Sequence, residues 1–132
     1  MIVIDSSAVV AILEDEDDAV LYAHAILDAD ELVMSAVNAH ECAVVLRRRR
    51  GPEGEQGVWT FLAENDIRIL PFDEDQARTA SAAFGRYGKG IDSKAKLNLA
   101  DCAAYTLATS LSAPLLFKGN DFVHTDVTFA VR

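Results

Sequence analysis

The sequence predicts an α/β protein: a mostly parallel sheet covered by helices on both faces. Three observations carry that expectation. Short apolar or β-branched runs alternate with longer helical patterns along the chain, as expected of a parallel sheet built from strand–helix units. The first run, Met1-Ile2-Val3-Ile4, stops at Asp5-Ser6-Ser7 and turns straight into the apolar stretch Ala8–Leu13. Sheets that open this way carry ligands outside the carboxyl ends of their strands. The chain has 132 residues, 51% of them hydrophobic, enough for one domain with one sizeable core and far from a disordered composition.

Each element has a local reason. Ser6 or Ser7 caps a short helix to Leu13, and Asp5 taken alone reads as a cap too. The acidic run Glu14–Asp18 makes a solvated turn and a favourably charged start for a second helix, Ala19–Leu27. Glu31–Ser35 is the second strand, and Ser35 caps a third helix to about Arg50. Arg47–Arg50 complement the dipole at that helix end, or form a patch that contacts phosphate or a partner. Gly51-Pro52 is expected to stop the helix, leaving Gly51–Gly57 as a loop before a fourth helix, Val58–Glu64. Ile67–Leu70, closed by Pro71, is the third strand. Glu74–Tyr87 is the fifth helix, with Ala77, Ala80, Ala83 and Phe84 on its apolar face. Gly88–Lys96 is an irregular basic loop, of the kind that carries function when a rigid scaffold holds it at a cleft. Leu97-Asn98-Leu99 leads into a sixth helix to about Leu111. Pro114–Phe117 is the fourth strand, Gly119-Asn120-Asp121 a turn, and Val127–Val131 a last strand at the sheet edge.

The formal net charge of −9 and a pI near 4.6 speak against a surface that wraps nucleic acid all round. They leave nucleic acid open as a substrate, because carboxylates that bind a cation inflate the formal negative charge and a local basic patch still steers a phosphate chain. No apolar stretch reaches the roughly 20 residues that span a bilayer, and the chain opens on a strand instead of a signal peptide. A cytoplasmic location is the default expectation. Cys42 and Cys102, in apolar helical surroundings, read as reduced buried thiols. His24, His40 and His124 stand far apart in sequence and read as structural or surface residues.

Acids at apolar positions point to chemistry. Glu41 lies inside Ala36-Val37-Asn38-Ala39-His40-Glu41-Cys42-Ala43-Val44, and Asp101 inside Leu99-Ala100-Asp101-Cys102-Ala103-Ala104. Asp121 follows the fourth strand through Lys118-Gly119-Asn120. Unpaired acids on core-facing surfaces are costly or become protonated, and two carboxylates about 4 Å apart repel by roughly 4 kcal/mol at an effective dielectric of 20. Each acid has an ordinary alternative: Asn98–Asp101 has capping-box spacing, Glu41 can pair with an arginine, and Asp121 can start a turn. Together with Asp5, on elements that a parallel sheet brings to one edge, they call for a cation. Oxygen ligands favour Mg²⁺ or Mn²⁺.

As an ordered set, Ile4-Asp5-Ser6-Ser7-Ala8, Glu41 in an apolar helix, Leu99-Ala100-Asp101-Cys102 and Leu116-Phe117-Lys118-Gly119-Asn120-Asp121-Phe122 resemble a PIN domain, and more narrowly the VapC toxins of VapBC toxin–antitoxin pairs. The resemblance runs to about Thr125. It implies a three-layer α/β/α sandwich as a single domain, and an endoribonuclease dependent on Mg²⁺ or Mn²⁺. It implies acids at Asp5, Glu41, Asp101 and Asp121, with Asp126 a weaker stand-in for the last, and a supporting hydroxyl at Ser6 where the family usually has Thr. Lys94, Lys96, Lys118 and Arg47 are candidates for holding the RNA backbone. The implied partners are RNA, a VapB-type antitoxin and a second copy of the chain, with apolar surface expected around Trp59 and Val20–Leu27. Two rivals remain at this point. A phosphoacceptor receiver domain wants an acidic pair after the first strand, where this chain has serines. A non-catalytic module on the same scaffold would not need the acids.

Overall fold

The computed structural model describes residues 1–131. Strands β1 (Ile2–Ile4), β2 (Leu32–Ser35), β3 (Ile67–Leu70) and β4 (Leu115–Leu116) form one sheet in the order β3-β2-β1-β4, with every neighbouring pair parallel. Val3 is in register with Val33 on one side and Leu115 on the other. Alternate side chains of a strand leave on opposite faces, and the two cores follow that rule. Val3, Val33 and Leu115 enter one core with helices α4 (Glu74–Tyr87) and α5 (Leu99–Ser110). Ile4, Leu32, Met34 and Leu116 enter the other with α1 (Ser6–Leu13), α2 (Ala19–Asp28) and α3 (Ala36–Glu64). The expected three-layer α/β/α sandwich is therefore present, its central strands buried on both faces as parallel sheets require.

The chain winds outward from β1 through β2 to β3, then returns to set β4 on the far side of β1. β1 and β4 flank the point where the winding reverses. In open α/β sheets that is where ligands sit, outside the carboxyl ends of the strands.

Two expectations need correction. Gly51–Gly57 is not a loop: α3 continues to Glu64 through a single non-helical residue, Gly51, at φ 72° and ψ −162°. Pro52 then follows as the first residue of the resumed helix, where a missing amide and a fixed φ cost nothing. The Gly-Pro pair turns the helix instead of ending it. Val127–Val131 does lie beside β4, but makes only an isolated bridge between Phe129 and Leu115. Two hydrogen bonds that join it to β4, from the Leu115 amide to the Thr128 carbonyl (2.8 Å) and from the Ala130 amide to the Leu115 carbonyl (2.9 Å), both centre on Leu115, in a strand of two residues. Among the described residues no helix is long and apolar enough to cross a membrane.

Candidate active site

β1 ends at Asp5, whose backbone is still extended (φ −81°, ψ 153°) while its side chain caps α1. Oδ2 accepts from the Ser7 amide at 3.0 Å and from the Ser7 hydroxyl at 2.5 Å. Ser7 Oγ in turn accepts from the Lys118 amide at 2.9 Å. One serine thus ties the first acid to the end of β4 across the switch point. The cap accounts for only half of the carboxylate: Oδ1 is buried with no hydrogen-bond partner. Burial pushes the Asp5 carboxyl up to about 6, opposed by the Ser7 hydrogen bonds and reinforced by repulsion from Glu41.

Ser35 closes β2 and starts α3 by accepting from the Val37 amide at 3.2 Å. Two turns on, half-buried Glu41 accepts a hydrogen bond from the Ser6 hydroxyl. Among the described residues no arginine pairs with it: Arg47 pairs with Glu55, while Arg49 and Arg50 pair with Glu14. Cys42 lies buried beneath, its thiol donating to the Ser6 carbonyl at 3.6 Å. Burial, with the charges of Asp5 and Glu41, pushes that thiol well above its ordinary range. Asn38 is fully buried one turn before Glu41, and its Nδ2–H donates to the Ala100 carbonyl at 3.0 Å.

Asp101 stands in the first turn of α5. Its amide donates to Asn98 Oδ1 (2.8 Å) and its Oδ2 accepts from the Asn98 amide (3.0 Å), completing a capping box with Asp in place of the usual Glu. The cap is real and does not exhaust the residue. Burial raises the Asp101 carboxyl to about 7, against the Asn98 hydrogen bond, with repulsion from Asp5, Asp121 and Glu41 adding to it. Of these, the repulsion from Asp121 links that exposed turn residue to Asp101. Asp126 is elsewhere: it accepts from the Tyr105 hydroxyl and pairs with Arg86 at 3.6 Å, and the tyrosine's hydrogen bond holds it below the usual carboxylate range. Of the two candidates for a fourth acid, Asp121 is the one whose charge acts on Asp101.

The donor set is all oxygen, two of its carboxyls are pushed toward the neutral form, and one buried oxygen has no partner. These features fit a hard divalent cation. The acids stand within electrostatic reach, not at chelating distance: among the described residues no three His, Cys, Asp or Glu side chains converge closely enough to hold an ion as they lie. Of the proposed RNA contacts, Lys118 Nζ is engaged with Glu16 at 2.7 Å and Arg47 with Glu55 at 3.2 Å, whereas Lys94 and Lys96 project into solvent. The three histidines are exposed. Both cysteines are free and buried, as expected. Val20, Leu21, Leu27 and Trp59 are exposed apolar residues on α2 and α3. Sequence reasoning treated Ser7 only as a cap and did not single out Asn38; the available signal was a polar residue set inside an apolar run.

A parallel sheet with acids gathered at its switch point defines a class, and comparison with known proteins gives the family. The model of the PIN domain family matches residues 2–127. Ribonuclease VapC28 of Mycobacterium tuberculosis is 43% identical over 129 residues, covering 98% of this chain and 97% of its own. The crystal structure of the M. tuberculosis toxin VapC20, described as cleaving the sarcin-ricin loop, superposes with a TM-score of 0.82 at 14% identity, over 100% of this chain and 99% of that one. DNA-bound VapBC from Salmonella typhimurium superposes with a TM-score of 0.69 at 14% identity, over 97% and 94%. This chain belongs to the PIN-domain family and, within it, to the VapC ribonucleases.

Proposed function

We propose that the protein is the toxin of a type II toxin–antitoxin pair and hydrolyses RNA phosphodiester bonds as a divalent-metal-dependent endoribonuclease of the cytoplasm. The observation that carries the reading is the unpartnered, buried Asp5 Oδ1, in a carboxylate that Glu41 and Asp101 repel and a divalent cation would stabilise. Asp5, Glu41, Asp101 and Asp121 would hold Mg²⁺ or Mn²⁺. When bound, such an ion acidifies a water and neutralises charge on the scissile phosphate. Glu41, oriented by the Ser6 hydroxyl, would accept the proton of an attacking water. Ser7 fixes the Asp5 carboxylate and Asn98 fixes that of Asp101, so the site is held before substrate arrives. No side-chain nucleophile is required, and Cys42 stays protonated beneath the acids.

The named relatives are ribonucleases and one fold neighbour was crystallised as VapBC, which supports RNA as substrate and a VapB-type antitoxin as partner. The exposed apolar residues of α2 and α3 supply surface for that antitoxin or a second copy. Receiver chemistry finds no support, since Glu41 and Asp101 sit inside helices. The test is cleavage of a mixed tRNA and rRNA pool by antitoxin-free protein with Mn²⁺, with Mg²⁺ and with EDTA, beside Asp5→Asn. Cutting that needs metal and is lost in the variant is expected. Equal cutting by the variant, or none with either ion, would overturn the proposal and favour a binding module.

A further inference from the structure

Cations are unevenly used in this acidic chain. Among the lysine and arginine side chains of residues 1–131, only Arg48, Lys89, Lys94 and Lys96 have no ion-pair partner. Three of these four lie in one loop, Gly88–Lys96, and all three are exposed. The loop's one acid, Asp92, is occupied in accepting the Ala95 amide at 3.0 Å. The Leu97 amide donates to the Tyr87 carbonyl and the Lys89 amide to the Leu97 carbonyl, each at 2.9 Å. The end of α4 is thereby pinned beside Asn98, the residue that caps α5 and binds Asp101. At that end the Arg86 guanidinium lies over the Tyr87 ring, 4.7 Å from its centroid, and its Nη2 donates to the Tyr87 hydroxyl (2.8 Å) and pairs with Asp126 (3.6 Å). Tyr87 in turn packs edge-on against Tyr105, one helical turn beyond Asp101.

We infer that residues 86–96 are the track for a single-stranded segment of RNA: Lys89, Lys94 and Lys96 take its phosphates, and the Arg86 guanidinium, lying over Tyr87, stacks an unpaired base. The inference rests on the ribonuclease reading and deepens it. Uncommitted lysines beside a site of like-charged acids are what a phosphate chain needs to approach it. A planar cation braced on an aromatic ring offers a stacking face that a duplex, with its bases already stacked, does not use.

The experiment is fluorescence anisotropy with a fluorescein-labelled, mixed-sequence RNA oligonucleotide, single-stranded or annealed to its complement, titrated with the full chain in EDTA over a range of salt. Replacing Lys89, Lys94 and Lys96 together by Ala should weaken binding at least tenfold and flatten the log–log salt slope by about 2, since each phosphate contact on a single strand contributes about 0.7. Arg86→Lys should lose affinity on the order of tenfold, as a stacking face is lost while the charge is kept. Arg68→Ala, at a residue paired with Glu31, should bind as wild type. An unchanged slope in the triple variant with an unchanged thermal melt, or equal affinity for the duplex, would overturn the track; wild-type affinity in Arg86→Lys would overturn the stacking role. Metal-dependent cleavage with unaltered KM in the triple variant would also overturn the track and leave the nuclease reading intact. Lysine-dependent binding without cleavage would sink the nuclease reading and keep the track.

Discussion

The Asn38 side chain donates to the Ala100 carbonyl at 3.0 Å, and by that bond the helix of Glu41 is fixed to the first turn of the helix of Asp101. Asn38 is fully buried and its Oδ1 has no partner, so the amide is retained at a cost. Asn38→Ala should lower stability by on the order of 2 kcal/mol. It should also lower kcat for RNA cleavage more than it changes KM, because the acids lose their relative placement while the RNA surface is untouched. Asn38→Asp keeps the shape, loses the donor and adds a like charge, and should fare no better. Urea denaturation and steady-state cleavage measure both; an unchanged kcat in a folded Asn38→Asp would remove the positioning role.

Ser7 holds Asp5 and the Lys118 amide at once. Its hydrogen bonds oppose the burial that lifts Asp5 to about 6. Ser7→Ala should therefore lift the carboxyl further, moving the acidic limb of the pH–rate profile to higher pH and lowering activity at pH 6 more than at pH 8. Ser7→Thr keeps the hydroxyl and should restore the limb. A profile unshifted in Ser7→Ala would show that Asp5 does not set that limb.

The fold was legible because burial on both faces leaves short apolar runs between helices, and the acids stood out against apolar helical surfaces. What escaped was geometric. Gly51-Pro52 has the composition of a helix stop, and only the packing of Val58 and Leu62 into the same core as Ala39 and Leu46 shows that the helix bends and resumes. Two acids matched the fourth position by spacing, and the choice came from Tyr105, which takes Asp126 away from the group. Lys118 and Arg47 looked as available as Lys94 until their carboxylate partners were seen.

Asp101 and Asp5 give the metal-free protein a defined pH dependence. Their folded values, about 7 and about 6, lie above the ordinary 3.8, so the folded state binds protons more tightly than the unfolded chain. The stability this contributes is complete below pH 4 and lost as pH rises through 6 to 7. In EDTA, Asp101→Asn, which keeps an acceptor for the capping box, should gain on wild type by on the order of 2 kcal/mol between pH 5 and pH 8. Mg²⁺ or Mn²⁺ at pH 8 should close that gap by binding the folded wild type. Urea melts at the two pH values decide it: a gap that stays constant with pH would mean Asp101 is ionised in the folded protein throughout.

The bend in α3 sets how its two halves meet, and three glycines separate the causes. Gly51, at φ 72° and ψ −162°, occupies a region that other residues do not tolerate, yet a Cβ there would touch nothing within 4 Å. Gly51→Ala should therefore cost backbone strain alone, on the order of 1–3 kcal/mol. A Cβ on Gly54 would stand 2.5 Å from the Leu46 carbonyl oxygen, so the halves must part, and Gly54→Ala should cost more. Gly57 is helical, and a Cβ there meets nothing within 4 Å; Gly57→Ala should stabilise by roughly 0.5–1 kcal/mol through helix propensity. Thermal melts should rank Gly57→Ala above wild type, then Gly51→Ala, then Gly54→Ala. Glu41 lies in the half before the bend and is anchored by Ser6 and Asn38, so RNA cleavage by Gly51→Ala below its melting temperature should stay near wild type. A loss of cleavage there without a loss of stability would mean that the bend itself sets the position of Glu41.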